Sequence, residues 1–161
     1  MKRRGTVILM SLLLSACAAD GPPPGGRVSV EAIHAGSFCG ARSAGAVWLD
    51  DTRALAGWPD GAAGTVPEAA AAAVPFQRRG VVAVSMGRQP TGGYALRLGA
   101  TEAVISDGVL TLPVDWVEPP ADGVATQVLT RPCLLVSVPR GDYHRVLVVD
   151  GKGVVRGRVS R

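Results

Sequence analysis

Apolar and polar positions alternate in short runs along most of the chain, and no long helical period interrupts them. Residues 28–35 (VSVEAIHA) alternate over part of their length and predict a first strand. Residues 36–45 form a loop of small side chains, and 46–50 are short and apolar. Residues 51–58 predict a brief helix, with Asp50 or Asp51 as N-cap and Leu55 and Trp58 turned inward. Residues 59–67 are rich in turn formers, and the alanine-rich stretch 68–74 reads either as one or two helical turns or as a low-complexity surface loop. The strongest β signals follow. Residues 80–86 (GVVAVSM) are a buried-strand run, and 94–98 alternate. Residues 103–106 and 109–112 flank Asp107-Gly108, a dipeptide suited to the positive φ angles of a type I′ hairpin. Residues 124–130, 134–138, 145–149 and 154–159 predict further strands, the last two around Asp150-Gly151-Lys152-Gly153. The pattern implies a mainly β fold: an antiparallel β-sandwich or partly open barrel with one or two short helices.

The first residues follow a different rule. Lys2, Arg3 and Arg4 precede an apolar run at 6–14 that ends in the small residues Ser15 and Ala16, the three-part layout of a secretory signal. The run is too short to cross roughly 30 Å of hydrocarbon as a helix. Leu14-Ser15-Ala16-Cys17 resembles the lipobox of bacterial lipoproteins. That resemblance implies cleavage before Cys17, acylation of Cys17 with palmitate-like chains, and a membrane partner reached through the lipid. Ala18, where an aspartate would signal inner-membrane retention, points to the outer membrane, with the domain facing the periplasm. The expected organisation is therefore a signal peptide at 1–16, lipidated Cys17 with a Gly/Pro-rich spacer to residue 27, and a single β-rich domain at 28–161.

Lys2, Arg3 and Arg4 also account for all but one unit of the formal net charge of +4, so the basic balance belongs to the leader. No basic run interleaves with aromatics, and nucleic acid is not an expected partner. With Cys17 assigned to lipid, Cys39 and Cys133 remain as an even pair; in an oxidising compartment they form either one disulfide or two buried thiols. His34 and His144 are the only histidines, with neither a G-x-S-x-G elbow nor a closely spaced metal pattern beside them. They read as ordinary strand or surface residues. No catalytic residue, metal ligand or small-molecule cofactor is expected, and the chain does not read as an enzyme. Arg156, Arg158 and Arg161 are expected to face solvent on the last strand.

The most distinctive stretch is Met86-Gly87-Arg88-Gln89-Pro90-Thr91-Gly92-Gly93-Tyr94, followed some thirty residues later by Thr126-Gln127-Val128-Leu129-Thr130-Arg131-Pro132-Cys133. Over about 81–139 these resemble the PrcB C-terminal family, whose members carry a G-x-x-P/S-T-G-G-Y loop and a later T-Q-x-x-T-x-P element. Cys133 stands where that pattern more often has tyrosine or another apolar residue. The resemblance implies a non-catalytic accessory lipoprotein that binds or stabilises an extracytoplasmic protease. Arg88, Pro90, Thr91, Gly92, Gly93, Tyr94, Thr126, Gln127 and Pro132 are the candidate partner contacts. From the residues themselves, the loop is either an adaptable contact surface anchored by Tyr94 or a tight turn that plugs the sandwich end, with Gln127 satisfying its backbone. A structural envelope lipoprotein and a protease inhibitor are the alternatives.

Overall fold

The computed structural model describes residues 25–59 and 66–161. The expected signal peptide, Cys17 and most of the expected spacer lie outside those residues. The described chain forms ten strands and two short helices in two facing sheets, with no closed barrel. β1 (Gly26–Ser29) and β2 (Glu31–Gly36) are one extended run that changes sheet at Val30, whose N–H donates to the Thr101 carbonyl at 2.9 Å. The single strand expected at 28–35 is thus two half-strands, because an inward Val30 at the corner serves both sheets.

The four-stranded sheet has the order β2-β8-β4-β3, built from β3 (Ala44–Leu49), β4 (Arg79–Met86) and β8 (Cys133–Pro139). Its central strands are buried along nearly their whole length. Alternate residues of β4 and β8 face two cores. Val82, Val84, Leu134, Val136 and Val138 point between the sheets. Val81, Ala83, Cys133 and Leu135 point the other way, beneath Leu55 and Trp58 of the α1 region and Ala71 and Val74 of the α2 region. Burial on both faces is why 80–86 is continuously apolar. α1 (Thr52–Ala56) is capped by Asp51, whose carboxylate accepts the Ala54 N–H at 2.7 Å. α2 (Glu68–Ala72) resolves the alanine-rich stretch as a helix.

The other sheet has the order β1-β6-β7-β9-β10, from β6 (Glu102–Ser106), β7 (Val109–Val117), β9 (Arg145–Asp150) and β10 (Val155–Ser160). β5 (Ala95–Leu98) pairs with the second half of β7, in line with β6 along the same edge. Pro113 sits where β5 gives way to β6; it has no N–H to offer, and its carbonyl accepts the Gly99 N–H at 3.1 Å. β6 and β7 are joined at Asp107-Gly108 with φ angles of 52° and 72°, as a type I′ turn requires. β7 and β9 are parallel because the chain between them crosses to the facing sheet as β8 and returns. On the far side β10 closes against β3: a Cβ on Gly157 would lie 2.9 Å from the Ala46 Cβ.

Residues 124–130 do not form the expected strand; only Thr130 makes an isolated bridge, with Gln89. Val124, Val128 and Leu129 are exposed, so the apolar run there has no sheet to bury it. The arginines of the last strand also divide. Arg156 is partly covered, pairing with the buried carboxylate of Asp150 at 2.8 Å and lying over Trp116, whereas Arg158 and Arg161 are exposed as expected, Arg161 lying over Trp48 and Tyr143.

Candidate functional site

Three connections meet at one end of the sandwich: 37–43 after β2, 87–94 after β4, and 118–132 after β7. Backbone hydrogen bonds lace them together. Gln89 and Thr130 exchange N–H and C=O at 2.8 and 3.0 Å, and the Gly92 N–H donates to the Thr126 carbonyl at 2.9 Å. The buried Thr130 hydroxyl donates to the Thr91 carbonyl at 3.0 Å. The Gln89 side chain donates to the Met86 carbonyl at 2.9 Å. Arg88 N–H reaches Arg42 O, Arg131 N–H reaches Ser37 O, and Gly40 N–H reaches Arg131 O, which binds the first loop to the other two. Gly93, at φ 87°, sits against Pro119; a Cβ there would be 2.9 Å from the proline Cβ.

The disulfide Cys39–Cys133 pins the base of this cluster, with Cα atoms 5.3 Å apart. It resolves the cysteine pair in favour of a bond. Gly40 beside it has no room for a side chain, since a Cβ would lie 2.6 Å from both the Pro132 carbonyl oxygen and the Ser85 hydroxyl.

Residues 81–139 match the family model described as PrcB C-terminal. Over that span the chain is similar to the PrcB C-terminal family. No curated protein and no solved structure matches the chain. The two elements that mark the PrcB C-terminal segment, the loop at 87–94 and Thr126–Pro132, are therefore brought into direct contact, although some thirty residues separate them along the chain.

Within this PrcB C-terminal segment the candidate contact residues fall into two groups. Arg88, Pro90, Gly93, Thr126 and Gln127 are exposed; Thr91, Gly92 and Tyr94 are partly covered, and Tyr94 packs on the inter-sheet core. Pro132 is buried, and its carbonyl accepts the Met86 N–H at 3.0 Å. It holds the floor of the cluster and offers no surface to a partner. The backbone of 91–92 is satisfied by Thr130 and Thr126 rather than by Gln127.

Sequence reasoning missed the apolar side chains around the motif. Phe38, Val124, Val128 and Leu129 are 59%, 107%, 39% and 63% exposed, and Val124, Leu129 and Phe38 are the three most exposed large hydrophobics among the described residues. Arg42 and Arg88 are exposed in the neighbouring loops. The available signal was Pro119-Pro120 ahead of 124–130, which argues against a ladder there and so for apolar groups left in solvent.

The charged groups with shifted pKa values are structural. Asp50 is held below the ordinary carboxylate range, first by the Trp48 indole N–H at 2.7 Å and then by Arg140. Asp150 is held low by the Val154 backbone N–H, then by Arg156 and the Lys152 N–H. Burial raises the Tyr143 hydroxyl, which donates to the Pro139 carbonyl at 2.6 Å. His34 lies beside the disulfide and His144 beside the Asp107-Gly108 turn. Strands β7, β8 and β9 run between these two regions, so the histidines sit at opposite ends of the sandwich.

Proposed function

We propose that this chain is a non-catalytic, lipid-anchored envelope lipoprotein of the outer membrane, its domain facing the periplasm, and that the three-loop cluster binds a protein partner, an extracytoplasmic protease. The observation that carries the reading is the set of exposed apolar side chains, Phe38, Val124, Val128 and Leu129, on loops fixed by hydrogen bonds and a disulfide. Such groups are costly to leave in water and, on a rigid base, lose little entropy when a partner covers them. The match over residues 81–139 supports the resemblance from which an association with proteases is implied.

The path of the chain suits a tether. Gly26 pairs with Ile105 next to the Asp107-Gly108 turn, at the end of the sandwich opposite the loop cluster. β7, with nine residues, separates the two ends by roughly 30 Å. A membrane anchor upstream of Gly26 therefore leaves the cluster pointing away from the lipid surface.

The Thr91–Thr130 and Gln89–Thr130 bonds favour a scaffolding part for the motif itself, and the reading assigns the partner contacts to the exposed residues around it. Crosslinking of the tagged protein in its native cells, followed by mass spectrometry, tests this. A protease should be captured by the native chain and lost with Phe38→Asp/Leu129→Asp at an unchanged melting temperature. Capture unaffected by that pair would remove the cluster as the binding surface and favour a structural envelope role. Titration against cysteine and serine proteases separates an accessory subunit, which leaves activity intact, from an inhibitor. Detergent phase partitioning of Cys17→Ser tests the anchor: the variant should move to the aqueous phase.

A further inference from the structure

His34, Cys39 and Cys133 offer an imidazole nitrogen and two sulfurs that all lie within 4.8 Å of one another. The register explains the meeting. His34 pairs with Leu135 and Gly36 with Cys133, so His34 and Cys133 project from the same face of the four-stranded sheet. That face is the one covered by the helices. A bulge between Ala32 and His34 sets this phase. Gly36 leaves the space between the donors open: a Cβ there would lie 3.1 Å from the Cys39 sulfur and 3.6 Å from His34 Nε2. Cys39 and Cys133 are buried and His34 is half-buried, so the imidazole stands on the solvent side of the sulfurs.

While the S–S bond stands, neither sulfur is a thiolate and the trio holds no metal ligand set. We propose that reduction of Cys39–Cys133 converts this corner into a site for a borderline-soft divalent cation of the zinc type, bound by two thiolates and His34. A dithiol reductant supplies two electrons and two protons; the S–S bond breaks, two thiols form, and the reductant becomes a disulfide. The metal then displaces both thiol protons. Two thiolates and a neutral imidazole cancel the charge of a divalent ion, which suits a mostly covered position. Tetrahedral Zn–S bonds of about 2.3 Å put two sulfurs roughly 3.8 Å apart, a separation that side-chain rotation reaches from Cα atoms 5.3 Å apart. Three protein ligands leave a fourth position for water, toward the side His34 opens. Disulfide and metal are thus alternative cross-links between the same two residues. This proposal does not depend on the reading of the loop cluster or of the lipid anchor.

The test uses the full chain, reduced with a phosphine, freed of reductant under anaerobic conditions, and titrated with cobalt(II). One equivalent should bind, with a thiolate-to-cobalt charge-transfer band in the near ultraviolet and the intense visible bands of a four-coordinate ion. The oxidised chain should show neither. Cys39→Ser/Cys133→Ser is the blank that measures anything Cys17 contributes. His34→Ala removes a direct ligand and should weaken cobalt by at least the roughly 10–100-fold that outer-shell changes cost. A reduced wild type without the charge-transfer band overturns the proposal, as does a His34→Ala chain that binds cobalt as tightly as wild type. If reduction alone unfolds the chain, zinc should restore the β circular-dichroism spectrum; a chain that stays unfolded with excess zinc also overturns it.

Discussion

The two sheets bury themselves in different ways. β4 and β8 of the four-stranded sheet lie between two cores, while β6, β7 and β9 of the other sheet bury one face and show the other to solvent. The first condition writes a continuous apolar run, GVVAVSM in β4 and CLLVSV in β8; the second writes alternation, as in the buried and exposed positions of β6. Faces that meet protein on both sides have little freedom to change, and faces that meet water have much. The disulfide and the PrcB C-terminal loop both attach to the doubly buried sheet, so the least adaptable part of the molecule carries the candidate contact surface.

The largest expected loss lies at the cross-link. Replacing Cys39 and Cys133 by serine frees a loop spanning 94 residues, and chain entropy puts the loss at up to about 4–5 kcal/mol. Denaturant unfolding should show it as a lower midpoint. Next comes Leu135→Ala, a fully buried residue under the helices, with a cost of about 2–5 kcal/mol by the same measurement. Thr130→Val removes the buried hydroxyl from the Thr91 carbonyl, costs about 1–2 kcal/mol, and should speed amide exchange at Gln89 and Gly92. At the other extreme, Val104→Thr on the solvent face of β6, where the side chain is 47% exposed, should change stability by no more than about 0.5 kcal/mol. A loss comparable to that of Leu135→Ala would mean that the outer face of this sheet is covered after all.

Acid sharpens the contrast from the electrostatic side. Asp50 and Asp150 are held below the ordinary carboxylate pKa in the folded chain, so unfolding in acid takes up protons. The stability they confer is present above about pH 4 and falls as the pH drops through their folded values. Asp150→Asn should flatten the decline of the melting temperature with acid, whereas Asp115→Asn, an exposed change on β7, serves as the control.

What was legible in the chain follows from the same physics. The run at 80–86, the Asp107-Gly108 turn and the Asp51 cap each carry their signal in neighbouring residues, and each is where expected. Longer relations were not legible. The parallel pairing of β7 and β9 depends on where β8 lies, and the sheet change at Val30 depends on a corner that periodicity cannot mark. Residues 124–130 misled because their apolar content is strand-like while their neighbours leave no edge for them. The motif residues were found, but motif and exposure are separate properties: Pro132 is buried while Phe38 and Leu129, outside or between its defining positions, are in solvent. His34 gave no sign of its neighbours because Cys133 comes to it only through the β2–β8 register.

The strand that changes sheet at Val30 has a mechanical meaning. β1 lies antiparallel to β6 from Gly26↔Ile105 to Ser29↔Glu102, and the same backbone continues into β2 beside β8. A pull on the chain upstream of Gly26, resisted by something gripping the opposite end of the sandwich, runs along the strand axis. The β1–β6 hydrogen bonds then share the load in shear and must fail together, whereas a pull across the strands would peel them one at a time. The point at which the chain enters the fold is thus also one that meets axial tension in shear.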